Sequence, residues 1–147
     1  MAFERWGSKV SKWFTVNEPS VFCSRYPLPA GYFTPTTIPD VQQNYVCGYH
    51  VLLAHASAYR LGKSLNISTI SFKNNGGYKV QRTNSSEDAL AVQRAWDFEE
   101  GRWADPVFLT GDWPRYLKEY VSTFLPEFTD EQKAMINGSA DLFAHDA

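Results

Sequence analysis

Long apolar runs, excess basic charge and cysteine are all scarce in this 147-residue sequence. No apolar run approaches the ~20 residues that a membrane-spanning helix needs, so we expect no transmembrane segment and no membrane partner. The 14 basic residues are slightly outnumbered by 16 acidic ones, which excludes a strongly basic nucleic-acid binder. Two cysteines cannot form a disulfide scaffold. Cys23 and Cys47 are interpreted as free thiols rather than a bridge, although the sequence alone allows them to pair.

Aromatic residues, by contrast, make up 16% of the chain, and 44% of all residues are hydrophobic. Such a hydrophobic fraction excludes a disordered chain, and the length favours one domain over residues 1–147. Aromatic rings suit a large core, and they also stack on flat apolar surfaces such as those of sugar rings. The first six residues do not have the pattern of a signal peptide, because charged residues follow within four positions. The compartment stays open between cytoplasmic and secreted.

Short apolar strands and longer helices alternate along the sequence. Strands are predicted over 12–16, 67–72 and 141–144, with a turn over 74–77. Helices are predicted over 41–61, from Ser85 or Ser86 onward, after Asp112, and from Thr129 to near Asn137, with capping boxes at Ser85 and Thr129. This order implies parallel strands with helical crossovers. The predicted fold class is therefore α/β, either a doubly wound sheet or part of a (β/α)8 barrel.

The strongest candidate for chemistry is the pair Asn17 and Glu18. Both directly follow the first predicted strand, and Pro19 fixes the exit of the chain. A carboxyl group at the C-terminal end of a parallel strand lies on the face where barrel enzymes build their active sites. The alternative is a purely structural role, in which the Glu18 carboxylate only caps a turn.

Six segments in order carry a resemblance to a known family. Residues 13–19 (Trp-Phe-Thr-Val-Asn-Glu-Pro) resemble the strand-four signature of glycoside hydrolase family 1, the β-glucosidase-like retaining glycosidases. Further along, similar segments are found at 52–56 (Leu-Leu-Ala-His-Ala), 101–106 (Gly-Arg-Trp-Ala-Asp-Pro), 111–114 (Gly-Asp-Trp-Pro), 125–128 (Leu-Pro-Glu-Phe) and 138–141 (Gly-Ser-Ala-Asp). The resemblance covers nearly the whole chain and implies strands four to six of a (β/α)8 barrel, a single incomplete barrel segment.

The resemblance also implies roles for individual residues. Glu18 would be the general acid/base, and Asn17 would bind the sugar 2-OH. Asp146 falls where the family usually has an asparagine close to the sugar. Phe22, Tyr26, Tyr32 and Phe33 follow the acid/base; they either line the pocket for the leaving group or simply pack. The implied reaction is retaining hydrolysis of a terminal β-linked sugar, most often glucose, from a small or oligosaccharide β-glucoside, without metal or organic cofactor.

The family's nucleophilic glutamate has no counterpart among these 147 residues. Retaining hydrolysis needs two carboxyl groups about 5–5.5 Å apart, so the isolated chain is expected to be inactive. Open strand edges predict poor solubility or self-association. The alternative is a truncated noncatalytic homologue that binds sugars or another protein.

The histidines do not indicate a metal site, and the glycosylation sequons depend on the compartment. His50 and His55 do not share a helix face, so a metal pair there is not expected. His145 and Asp146 are neighbours on a strand and point to opposite faces. Three glycosylation sequons, which matter only if the chain is secreted, begin at Asn66, Asn84 and Asn137.

Overall fold

The computed structural model describes residues 2–24 and 41–146, in which three strands lie against a layer of helices. The strands are β1 (Trp13–Asn17), β2 (Ile70–Asn75) and β3 (Ala144–Asp146). The helices are α1 (Ala2–Trp6), α2 (Pro19–Cys23), α3 (Val41–Ser64), α4 (Ser86–Trp96), α5 (Arg102–Asp105), α6 (Arg115–Tyr120) and α7 (Asp130–Ile136). A 3-10 turn over Gly7–Lys9 and π-helical turns over Asp97–Gly101 and Pro106–Thr110 complete the elements.

The strands form one parallel sheet in the order β1-β2-β3, which confirms the predicted α/β class with parallel strands. Trp13 pairs with Ile70 and Asn17 with Lys73, so the ends of β1 and β2 lie side by side. Asn75 pairs with Asp146 at the corresponding end of β3. Within the described residues β1 and β3 pair along one edge only. The self-association expected from such edges stays a prediction.

Two strand boundaries differ from the sequence-based prediction. β2 extends through Asn74 and Asn75, which were predicted to lie in a turn. Both amides find partners outside the strand, because Asn74 donates to Glu100 and Asn75 accepts from Ser20. Parallel pairing with β3 therefore outweighs the local turn preference of asparagine. β3 likewise begins at Ala144, three residues later than predicted.

The core lies between the sheet and α3. Buried residues of α3 recur on one face at Tyr45, Leu52, Ala56 and Tyr59, the spacing of an amphipathic helix. The main cluster also includes Phe72 and Trp103, and a smaller one surrounds Ile70 near the N-terminal ends of the strands. Among the described residues no helix is both long and apolar enough to cross a membrane.

Helix starts follow the predicted caps in part. The Thr129 hydroxyl accepts from the Gln132 N–H, and the Gln132 side chain accepts from the Thr129 N–H, so this capping box is confirmed. At α4, Ser85 accepts from the Asp88 N–H as predicted. The Asp88 carboxylate instead accepts from the Thr83 N–H and hydroxyl. Only half of the second predicted box is present.

The interpretation of the two cysteines as free thiols is wrong. Cys23 and Cys47 form a disulfide, with their Cα atoms 5.5 Å apart. The reason is tertiary, because α2 packs against α3 and brings the last residue of α2 beside the second turn of α3. A separation of 24 residues carries no sign of this approach.

Candidate active site

Glu18 lies between β1 and α2, at the C-terminal end of a parallel strand. Its backbone is left-handed, with φ 48° and ψ 60°, a conformation that costs a non-glycine residue about 1–3 kcal/mol. The Glu18 N–H donates to the Lys73 carbonyl at 2.8 Å, and its carbonyl accepts from Val21 at 3.0 Å. Backbone strain held in place by neighbouring contacts is typical of functional positions.

A bulge in β1 sets the direction of Asn17. Phe14 pairs with Ser71 and Asn17 with Lys73, so β1 carries one more residue than β2 over this interval. The extra residue lets Thr15 and Val16 both turn towards the helix layer: the Thr15 hydroxyl contacts His55 Nδ1 at 2.6 Å, and Val16 packs against the core. Asn17 is consequently exposed. Bulges commonly re-aim side chains beside active sites.

Three ionisable side chains, one in or directly after each strand, lie close together at the C-terminal end of the sheet. Lys73 of β2 forms an ion pair with Asp146 of β3, and Glu18 lies beside the Asp146 carboxyl group. The hydrogen bond from Lys73, and then the Glu18 side chain, hold the pKa of Asp146 below its usual value. The carboxyl groups of Glu18 and Asp146 and the ammonium group of Lys73 thus form a row along the strand ends.

The helix that follows Glu18 is held at both ends, by the sheet at one end and by α3 at the other. The Ser20 hydroxyl donates to the Asn75 side-chain oxygen at 2.5 Å. At the other end, the Cys23–Cys47 disulfide joins α2 to α3. These two links restrict the short segment that positions Glu18.

A buried carboxylate, Glu100, lies behind this row in the helix layer. It accepts from the Asn74 side-chain amide at 2.5 Å. Its other oxygen is 3.1 Å from His145 Nδ1, without the alignment of a hydrogen bond. Burial is the main cause that raises the pKa of Glu100, and the nearby His145 opposes the shift.

The structure brings together some of the predicted site residues. Asn17, Glu18 and Asp146 lie at the same end of the sheet, and Phe22 is 39% exposed on α2. Tyr26, Tyr32 and Phe33 lie outside the described residues. Lys73 and Glu100 were not predicted. Glu100 had a sequence signal, since it continues the apolar face of Val92 and Trp96 at four-residue intervals, where a charged residue suggests a buried carboxylate.

A parallel sheet with a carboxyl group and an amide at the C-terminal ends of its strands is the arrangement in which α/β barrels build their active sites. The family model described as glycosyl hydrolase family 1 matches residues 1–147, so the chain belongs to that family. Confirmation of the partial barrel comes from the solved structure of aphid myrosinase, which superposes with a TM-score of 0.86 at 27% identity over 98% of this chain.

Curated relatives agree with this assignment. The chain is 34% identical to beta-glucosidase 1B of Phanerodontia chrysosporium over 97% of its own length and 28% of that protein. It is 32% identical to the cytosolic beta-glucosidase of Cavia porcellus, again over 97% of this chain and 33% of that protein. Aphid myrosinase is covered to 34%. The chain thus spans about a third of the length of these three relatives.

Proposed function

We propose that the chain carries the acid/base half of a retaining β-glucosidase site, within a single incomplete barrel segment over residues 1–147. The observation that supports this most is the position of Glu18, held in a left-handed turn at the end of β1 beside the exposed Asn17. The names of the relatives, two of them β-glucosidases, suggest β-glucosides as the substrate class.

In this proposal the Glu18 carboxyl donates its proton to the glycosidic oxygen as the bond to the sugar breaks, while the nucleophilic carboxylate from the remaining barrel forms a bond to the same sugar carbon. The resulting carboxylate then removes a proton from the water that releases the sugar. Asn17 donates to the sugar 2-OH, a contact that strengthens as positive charge develops on the ring. The two proton transfers involve only the Glu18 carboxyl group, the leaving oxygen and water.

The same proposal makes the isolated chain inactive. A retaining enzyme needs its nucleophilic carboxylate about 5–5.5 Å from the acid/base, across the sugar carbon under attack. Asp146 is the carboxylate beside Glu18, and its ion pair with Lys73 holds it at the end of β3. We therefore assign Asp146 to sugar binding rather than to attack, with Phe22, Tyr26, Tyr32 and Phe33 around the leaving group.

The test is a chimera in which residues 1–147 replace the matched third of the Cavia porcellus β-glucosidase, so that the relative supplies the remaining barrel. We expect the chimera to hydrolyse aryl β-glucosides and the isolated chain to release no product. Glu18→Gln should lower kcat/KM by about 10²–10⁴-fold. Because an acidic phenol needs no protonation to leave, the loss should be smallest for a dinitrophenyl glucoside and largest for a poor leaving group.

The matched control is Glu127→Gln, at an exposed glutamate in the connection between α6 and α7, which should leave the rate unchanged. Equal rates for Glu18→Gln and the unmodified chimera would refute the acid/base role. The second candidate is a noncatalytic sugar-binding module, favoured by the position of Asp146 beside the Glu18 carboxyl. A folded chimera that binds glucose but never turns over a glucoside would support that candidate.

A further inference from the structure

Three asparagines stand at the start of Asn-X-Ser triplets, and all three are on the surface. Asn66 follows α3, Asn84 precedes α4 and Asn137 follows α7. Each is exposed and lies in a connection between elements. An N-linked glycan is bulky and hydrophilic, so it requires this kind of position in the folded protein.

The disulfide is an independent observation that points to the same compartment. Cys23 is fully buried, and its bond to Cys47 uses both cysteines of the chain. Disulfides form and persist in oxidising environments such as the endoplasmic reticulum lumen and are rare in the cytosol. The transfer of glycans to Asn-X-Ser triplets belongs to secreted proteins as well.

Two of the three positions lie away from the candidate active site. Asn66 and Asn137 lie in the connections that lead into β2 and β3, so they are at the N-terminal ends of the strands, away from Glu18. Asn84 lies between β2 and α4, in a connection at the Glu18 end. Next to Asn66, Leu61 and Leu65 expose 56% and 38% of their surface, apolar area that a glycan would help to cover.

We propose that Asn66, Asn84 and Asn137 are acceptors of N-linked glycans and that the protein folds in the oxidising secretory compartment where Cys23 and Cys47 pair.

The donor in this reaction is an oligosaccharide joined to a lipid through a diphosphate. The side-chain amide nitrogen of Asn bonds to C1 of the first sugar, while the bond between C1 and the diphosphate oxygen breaks. The lipid diphosphate leaves with the electron pair of that bond, and the amide gives up one proton. No oxidant is needed for this step. Pairing of Cys23 and Cys47 removes two electrons and two protons, which a disulfide of an oxidoreductase in the same compartment accepts by thiol–disulfide exchange, being itself reduced to two thiols.

The experiment begins with the complete protein from its natural source. An amidase that removes N-glycans is applied in water containing heavy oxygen, which leaves a labelled aspartate at every formerly glycosylated asparagine. We expect label in the peptides with Asn66, Asn84 and Asn137. Asn75 is an internal control, because Gly77 stands where a sequon needs a hydroxyl. Without reduction, the peptides of Cys23 and Cys47 should remain linked.

Label at two or three of the positions supports the proposal. Label at one or none, or alkylation of both cysteines as free thiols in the native protein, overturns it. In eukaryotic cells that express the complete gene, Ser68→Ala should abolish the glycan at Asn66, whereas the matched Ser68→Thr keeps it. A glycan that survives Ser68→Ala would also contradict the proposal. Neither measurement depends on glycosidase activity, so the glycosylation proposal can fail or succeed independently of the proposed function.

Discussion

Asp146 and Glu18 lie at the ends of two strands that do not pair with each other, yet the Glu18 carboxyl group contributes to lowering the pKa of Asp146. Lys73, on the strand between them, pairs with Asp146 and fixes that carboxylate in place. The family resemblance implies an asparagine at position 146. The aspartate therefore replaces an amide, which can donate a hydrogen bond to the sugar, with a carboxylate that can only accept one and that lies beside Glu18.

We predict that Asp146→Asn raises kcat/KM of the chimera by about 10-fold, the equivalent of one hydrogen bond of ~1.4 kcal/mol. The amide provides a donor for the sugar. Steady-state kinetics on an aryl β-glucoside measures the change. Asp130→Asn, at an exposed aspartate of α7, is the matched control and should have no effect. A slower Asp146→Asn chimera would contradict this account of the contact.

Glu100 and its neighbour Glu99 should affect stability in opposite directions. Burial raises the pKa of Glu100, so the folded state holds this proton more tightly than the unfolded state does. Stability due to Glu100 therefore falls as the pH rises from about 4.5 through the folded pKa. Glu100→Gln keeps an acceptor for Asn74 and removes the charge, so this variant should be more stable than the parent at pH 7.

Glu99 is the matched control for that prediction, because its hydrogen bond with Lys79 lowers its pKa. Its contribution is present above the unfolded pKa and is lost as the pH falls through the folded pKa, so Glu99→Gln should be less stable than the parent at pH 7. Denaturant unfolding of both variants at pH 4 and pH 7 gives the comparison. If both variants shift in the same direction at pH 7, the assignment of Glu100 as a buried carboxylate is wrong.

Much of the site's framework could be predicted from the sequence because it rests on local patterns. The β-branched and aromatic run before Pro19 located β1 and the strand-end position of Glu18. The Thr129 cap follows from hydrogen bonds within four residues. Patterns of this kind depend on neighbouring residues along the chain, so they need no knowledge of the tertiary structure.

The remainder depends on contacts between distant residues. The bulge that exposes Asn17 exists only in the register with β2. The disulfide joins two helices separated by a loop, and the Lys73–Asp146 pair joins residues from two strands. A sequence pattern gives the direction of a side chain along a regular strand, but one extra residue reverses it.

His55 should make the protein sensitive to mild acid. Burial lowers the pKa of this histidine from 6.5 to about 4. The unfolded state binds the proton more readily than the folded state does. The contribution of His55 to the free energy of unfolding is therefore fully present above about pH 6.5 and is lost as the pH falls towards 4. The loss should be on the order of 3 kcal/mol. His55→Asn keeps a polar atom near Thr15 and removes the titration, so its stability should change much less over this range. Thermal unfolding followed from pH 7 to pH 4 tests this, and an equal slope for both proteins would contradict it.

Gly111 and Gly138 offer a test of packing in which the backbone conformation is matched. Both have left-handed backbones, with φ of 76° and 69°. A Cβ on Gly111 would collide with the carbonyl oxygen of Lys133 in α7, whereas one on Gly138 would meet no atom within 4 Å. Gly138→Ala should therefore cost only the left-handed strain, about 1–2 kcal/mol.

Gly111→Ala should cost the same strain and in addition about 1–3 kcal/mol, because α7 must move away from the Pro106–Thr110 turn. Chemical denaturation of the two variants measures the difference directly, since the intrinsic conformational term is common to both. Equal losses of stability would mean that α7 adjusts to a methyl group at no cost, and the close approach of Lys133 to Gly111 would then not be a constraint on the fold.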